Sequence, residues 1–158
     1  MKHLDPGRIV SRCLALALAM FLLAGCERGP RIEILAPDGS KLTTVRVEIA
    51  DTGAKRELGL MFRHSLNEDA GMIFLFPNSG KQNFWMKNTP LPLDMMFADS
   101  SARVVGIVPY AQPYSEALVG VDAASQYVLE VNGGFCARHR VGVGDQFKFL
   151  GFDPQGRD

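Results

Sequence analysis

The chain is expected to fold as a β-rich α+β protein: a single compact antiparallel barrel or roll with one main helix and a candidate second short helix. Short apolar runs recur along it, separated by Pro, Gly, Asn and Asp turn signals, which is the mark of a closely spaced antiparallel meander. One stretch alone carries apolar residues at helical spacing. The length, 158 residues with 47% hydrophobic and 22% charged side chains, suffices for one core and leaves no room for a second domain or a repeat array. The chain is expected to comprise a signal-peptide leader at 1–25, a lipid-anchored tether at 26–31, one domain at 32–150 and a tail at 151–158.

The leader comes first. Lys2, Arg8 and Arg12 precede an uncharged run in which Leu14, Leu16, Leu18, Phe21, Leu22 and Leu23 stand among small residues, the pattern of a secretory signal. The run is short of the roughly 20 residues a membrane-spanning helix needs. Its end, Leu23-Ala24-Gly25-Cys26, resembles the lipobox of bacterial lipoproteins. That resemblance implies acylation of Cys26, cleavage just before it, and a protein held at a membrane and facing the periplasm or exterior. Two or three acyl chains hold stably where one is marginal, since each buried methylene contributes about 0.8 kcal/mol.

Cleavage would remove Lys2, Arg8, Arg12 and Asp5 and leave 14 basic against 16 acidic side chains. No basic excess remains to bind nucleic acid. Of the three cysteines only Cys136 would stay as a free thiol, so no intrachain disulfide is expected, and it reads as a buried small hydrophobe rather than a nucleophile. His139 follows it at three residues, which is too few ligands for zinc. No metal and no cofactor is expected.

Within the domain, residues 32–35, the turn Pro37-Asp38-Gly39 and residues 43–49 form a hairpin, with Val45, Val47 and Ile49 alternating with Arg46 and Glu48. Asp51 and Thr52 can cap a helix over 53–62, with Leu58, Met61 and Phe62 on one side and Lys55, Arg56 and Glu57 on the other. Strands follow at 72–76, 83–86, 93–97, 103–108, 126–131 and 146–150. The breakers between them include Pro77-Asn78-Ser79-Gly80, Asn88-Thr89-Pro90, Asp99-Ser100-Ser101 and Asn132-Gly133-Gly134. Residues 109–124 form a long connection with two prolines and two tyrosines, of the kind that wraps over a surface or serves function. Residues 135–139 are the candidate second helix.

From Arg56 onward the chain resembles the prokaryotic family called domain of unknown function 192. RELGLMFR at 56–63, GMIFLF at 71–76, FWMKNTPLPLDMMF at 84–97, YVLEVNGG at 127–134 and GVGD at 142–145 carry the resemblance. It implies a compact, mostly β single domain with no established reaction or ligand, in a family that includes secreted and lipid-anchored members. Cys136 and His139 stand where it implies no fixed identity.

Trp85-Met86-Lys87-Asn88-Thr89 sets an aromatic, a cation, an amide and a hydroxyl beside a proline-stiffened turn. Lining a cleft, Trp85 would stack on a polar ring ligand such as a sugar while Lys87, Asn88 and Thr89 bonded to it. Alternatively Trp85 fills the core and Asn88 and Thr89 serve their own turn. Asp94 and Glu130 each interrupt an apolar strand. They face solvent, or are buried with Arg56 or Arg63 as partners, or converge as an acid pair about 5 to 9.5 Å apart, the spacing of a glycosidase. Met61, Met72, Met86, Met95 and Met96 are read as core filling rather than copper ligands. No G-x-S-x-G, Walker, H-E-x-x-H or C-x-x-C motif occurs.

The expected role is a lipid-anchored binding or accessory module for a polar cell-envelope ligand or partner protein, using Arg56, Trp85, Lys87, Asn88, Thr89, Asp94 and Glu130. The rivals are a small glycosidase-like hydrolase using Asp94 and Glu130, and a scaffold whose motif residues only stabilise the fold.

Overall fold

The computed structural model describes residues 29–155. The leader and Cys26 lie outside that range. Strand β1 (Arg31–Leu35) and strand β2 (Lys41–Ala50) pair antiparallel, with Ile32 opposite Val45 and Ile34 opposite Thr43. Their turn is closed by the Asp38 carboxylate, which accepts from Ser40 N at 2.9 Å, and by Gly39 at φ 84°.

Helix α1 (Gly53–Leu58) starts at Thr52, whose hydroxyl accepts from Lys55 N at 3.2 Å. It stops at Gly59, where φ is 48°. The helix is thus four residues shorter than its periodicity predicts. Phe62 also has positive φ and donates its N–H to Asn88 O at 2.8 Å, so residues 59–62 form a turn. Leaving the helical period rotates the apolar residues: Leu60 is buried, while Leu58 and Phe62, expected to face inward, are 55% and 64% exposed.

Strand β3 (Ala70–Gly80) follows and pairs with β2 in parallel, Val47 opposite Gly71 and Ile49 opposite Ile73. This is an exception to the expected antiparallel order, and it exists because α1 crosses over between the two strands. β3 continues through the predicted breaker at Pro77, where its register with the next strand is interrupted between Leu75 and Gly80. The remaining elements are β4 (Asn83–Phe84), β5 (Leu93–Ala98), β6 (Val104–Ala111), β7 (Val119–Gly120), β8 (Ser125–Asn132), α2 (Phe135–His139) and β9 (Gln146–Leu150). β4 and β7 form a small ribbon of their own.

Seven strands make one sheet in the order β6-β5-β8-β3-β2-β1-β9. The ends approach each other: Arg103 bridges Gln146, Val104 N donates to Asp145 O and Phe147 N to Ala102 O, both at 2.8 Å. The sheet therefore curls into a half-barrel. Its enclosed face carries Ile32, Val45, Ile73, Met96, Leu129 and Phe147, and the other face carries Phe74, Met95, Phe97 and Val128. Strands β1 and β2 are covered mainly on one face and alternate in polarity. β3, β5 and β8 are covered on both, which is why they read as near-continuous apolar runs. The long connection at 109–124 lies against the turn at 86–89, through Met86 N to Ser115 O and Tyr114 N to Thr89 O. No helix among the described residues is long and apolar enough to cross a membrane.

Candidate functional site

The site is built on the face that α1 crosses. Glu130 sits on β8 between Met72 of β3 and Met95 of β5 in register, so alternation aims it at the same face as those methionines. It is 4% exposed. Its carboxyl has no hydrogen bond or ion pair among the described residues, and burial alone pushes its pKa up to about 8. Above it lies a cavity of about 250 Å³.

Three groups wall that cavity. The segment from Arg56 to Met61 forms the roof, Phe74 and Phe76 come from β3, and Phe84, Trp85 and Thr89 come from β4 and the turn after it. Phe84 packs edge-on against Phe74, Phe76 and Phe97, which fixes the aromatic wall. Arg56 holds the roof down: its Nη1 donates to Asp51 O at 2.7 Å and Leu75 O at 2.8 Å, and its guanidinium lies 5.3 Å from the Phe76 ring centroid.

An outer hollow of about 370 Å³ adjoins this cavity and shares Glu57, Leu58, Met61 and Trp85 with it. Lys87 and Asn88 line the outer hollow, and Lys87 Nζ stands 5.0 Å from the Trp85 ring centroid. Trp85 is 39% exposed and does not fill the core; Met86, next to it, does. Asn88 takes a left-handed φ of 53°, which the turn requires. Thr89 is buried, and its hydroxyl donates to Lys87 O at 3.2 Å. Of the seven predicted ligand residues, Arg56, Trp85, Lys87, Asn88, Thr89 and Glu130 thus gather around two connected hollows.

Asp94 does not join them. It points to the enclosed face, where Oδ1 accepts from Tyr110 N and Gly134 N and Oδ2 from Cys136 N, all at 2.9 Å. Gly134 begins α2 without any side-chain cap of its own, so Asp94 caps that helix from across the fold. Asp94 is therefore a structural anchor and not a polar support of the ligand site. Nor does it converge with Glu130 as an acid pair, because the two carboxyls open to opposite faces of the sheet. Neither arginine pairs with either carboxyl: Arg56 is held by backbone carbonyls, and Arg63 forms a bidentate ion pair with Glu48. The Glu48 carboxyl is held below the usual range, chiefly by its hydrogen bond from Arg63. Cys136 is buried, and burial followed by the nearby Asp94 charge pushes its thiol up to about 12.

Sequence reasoning missed Phe74, Phe76 and Phe84 as walls, and the apolar rim at Leu58 and Met61. The i, i+2 spacing of Phe74 and Phe76 does show that they share a face, but a strand apolar on both sides does not say which. No group of three or more His, Cys, Asp or Glu that could hold a metal occurs among the described residues.

Fold and site together define a β-rich half-barrel domain with a buried carboxyl at the base of an aromatic-walled cavity. The model of the DUF192 family, described as "Uncharacterized ACR", matches residues 34–149, and the chain belongs to that family. Among solved structures, a candidate transcription regulator from Sinorhizobium meliloti is similar at 36% identity and a TM-score of 0.74, covering 78% of this chain and 95% of its own. A protein of unknown function from Novosphingobium aromaticivorans is also similar, at 36% identity and a TM-score of 0.70, covering 75% and 83%. No curated protein matches.

Proposed function

We propose that this is a lipid-anchored envelope protein that binds a small polar ligand of the cell envelope in the cavity beneath α1. One observation carries the binding reading: Glu130 is buried at the cavity base, and its carboxyl has no hydrogen-bond or ion-pair partner among the described residues. A buried polar group left unpaired costs on the order of 1–3 kcal/mol, and more when charged. A residue kept only for stability has no reason to bear that cost, whereas a ligand that supplies the missing partner recovers it. The half-exposed Trp85 at the mouth adds a stacking surface, with Lys87 and Asn88 beside it.

The envelope reading rests on the charged start, the apolar run and the Leu23-Ala24-Gly25-Cys26 sequence. β1 begins at Arg31, five positions beyond Cys26, so the domain would sit close to the bilayer.

Trp85 is the sole tryptophan and therefore a direct reporter. Titration with peptidoglycan fragments and oligosaccharides should give a saturable change in its fluorescence that Glu130→Leu weakens. A flat response to every fragment defeats the binding reading. Labelled palmitate should enter the wild-type chain and not Cys26→Ser; equal labelling defeats the anchor.

A further inference from the structure

Resting on the reading of this cavity as a ligand site, we infer that its ligand is an organic primary ammonium ion, the cationic head against the Glu130 carboxylate and the apolar body among Phe74, Phe76, Phe84 and Trp85.

The cavity is lined by one cation, Arg56, whose Nη1 is committed to Asp51 O and Leu75 O and which forms no ion pair with Glu130. Facing the cavity, α1 adds Glu57, a second carboxylate nearer the mouth. β3 contributes Phe74 and Phe76, β4 contributes Asn83 and Phe84, and none of these titrates. The strand neighbours of Glu130 in register are Met72 and Met95. Lys87 stands beyond the rim, over Trp85. The base of the cavity thus presents a carboxyl without a counter-ion inside an aromatic enclosure. Aromatic rings attract cations through the negative potential of their faces, and a desolvated site strengthens both that attraction and the ion pair.

Size and shape fit the same class. A space of about 250 Å³ takes a small head and a short body, and the adjoining hollow, with Leu58 and Met61 on its wall, accepts an apolar extension.

The protonation balance gives the proposal its signature. With its carboxyl pushed up to about 8, Glu130 holds a proton at neutral pH. A primary ammonium, with a pKa near the lysine value of about 10.4, arrives already charged. Binding it as an ion pair therefore releases one proton from Glu130 to the buffer for each ligand bound. Affinity should rise about tenfold per pH unit below that value and level off above it. A neutral ligand accepting a hydrogen bond from the protonated carboxyl would show the reverse.

Calorimetry of the purified chain with phenethylammonium, and with 2-phenylethanol as its uncharged counterpart, decides the matter. At about pH 6, 7 and 8, and in two buffers of different ionisation enthalpy, the ammonium should bind with rising affinity and release close to one proton at the lower values, and the alcohol should bind at least about tenfold more weakly. Glu130→Gln, checked for native circular dichroism, should abolish the preference for the ammonium and flatten its pH profile. If the alcohol binds as well as the ammonium, or affinity falls as pH rises, the cationic ligand is overturned while the cavity remains a binding site. If neither probe binds at any pH the cationic ligand is overturned, and the binding reading falls with it only if the envelope fragments also leave Trp85 unchanged.

Discussion

Asp94 on β5 and Glu130 on β8 lie one register step apart on neighbouring strands and open to opposite faces of the sheet, since Met95 is the residue opposite Glu130 and Val131 the residue opposite Asp94. Both carboxyls are nearly inaccessible to solvent. One is saturated by three backbone N–H groups, and the other meets none among the described residues. The same side-chain chemistry therefore serves as a structural anchor on one face and as an unpaired group in a cavity on the other.

Removing the anchor should be costly. Asp94→Ala strands the N–H groups of Tyr110, Gly134 and Cys136 in a buried setting and uncaps α2, for a loss of about 3 kcal/mol or more. Asp94→Asn should recover only part of this, because its amide group turns a donor toward donors. Urea unfolding measures both, and amide exchange at Gly134 and Cys136 should quicken.

Glu130 should make stability fall as pH rises. Burial lifts its carboxyl from 4.5 to about 8, so between those values the native state holds a proton that the unfolded chain has released. The contribution is fully present below 4.5, is lost progressively up to about 8 at no more than about 1.4 kcal/mol per unit, and is flat beyond. The difference in unfolding free energy between wild type and Glu130→Gln, followed from about pH 4 to 9, should trace that decline. A constant difference would show that the carboxyl is not desolvated.

Adjacent residues of the Trp85-Met86 pair should respond in opposite ways. Met86 is 1% exposed within the core on the α1 face, and Met86→Ala should cost about 2–5 kcal/mol. Trp85→Ala should cost less than about 1 kcal/mol and instead weaken ligand binding. Thermal melts set beside fluorescence-independent binding measurements separate the two.

The thiol of Cys136 should be inert in the folded protein. With its pKa pushed up to about 12, mainly by burial, almost no thiolate exists near neutral pH. Alkylation at about pH 8 should proceed only at the rate of unfolding and become fast in denaturant. Rapid modification of the native chain would contradict its placement.

Arg56→Ala should loosen the roof without unfolding the sheet, since it releases Asp51 O and Leu75 O and uncovers Phe76. A loss of about 1–3 kcal/mol is expected, with faster amide exchange confined to residues 53–59.

Much was legible along the chain because it depends on neighbours in sequence. Alternation of Val45, Val47 and Ile49 with Arg46 and Glu48 is a property of a strand covered on one side, and β2 follows it. The span of α2, Phe135–His139, and that of β9, Gln146–Leu150, agree with the expected ranges. The family also stood in the sequence, through the run from Phe84 to Phe97 and its companions. What the linear order could not convey was direction. Leu58 and Phe62 look like an inward stripe until positive φ at Gly59 and Phe62 turns Leu60 inward in their place. Strands β5 and β8 are apolar on both sides, so period two marks that Asp94 and Glu130 are interruptions and stays silent on which face each one meets. That choice belongs to the register between strands and to α1, which makes β3 parallel to β2 and roofs one face of the sheet. Residue types and their local periods were set by the sequence; the partner each buried carboxyl finds was set by contacts between segments distant along the chain.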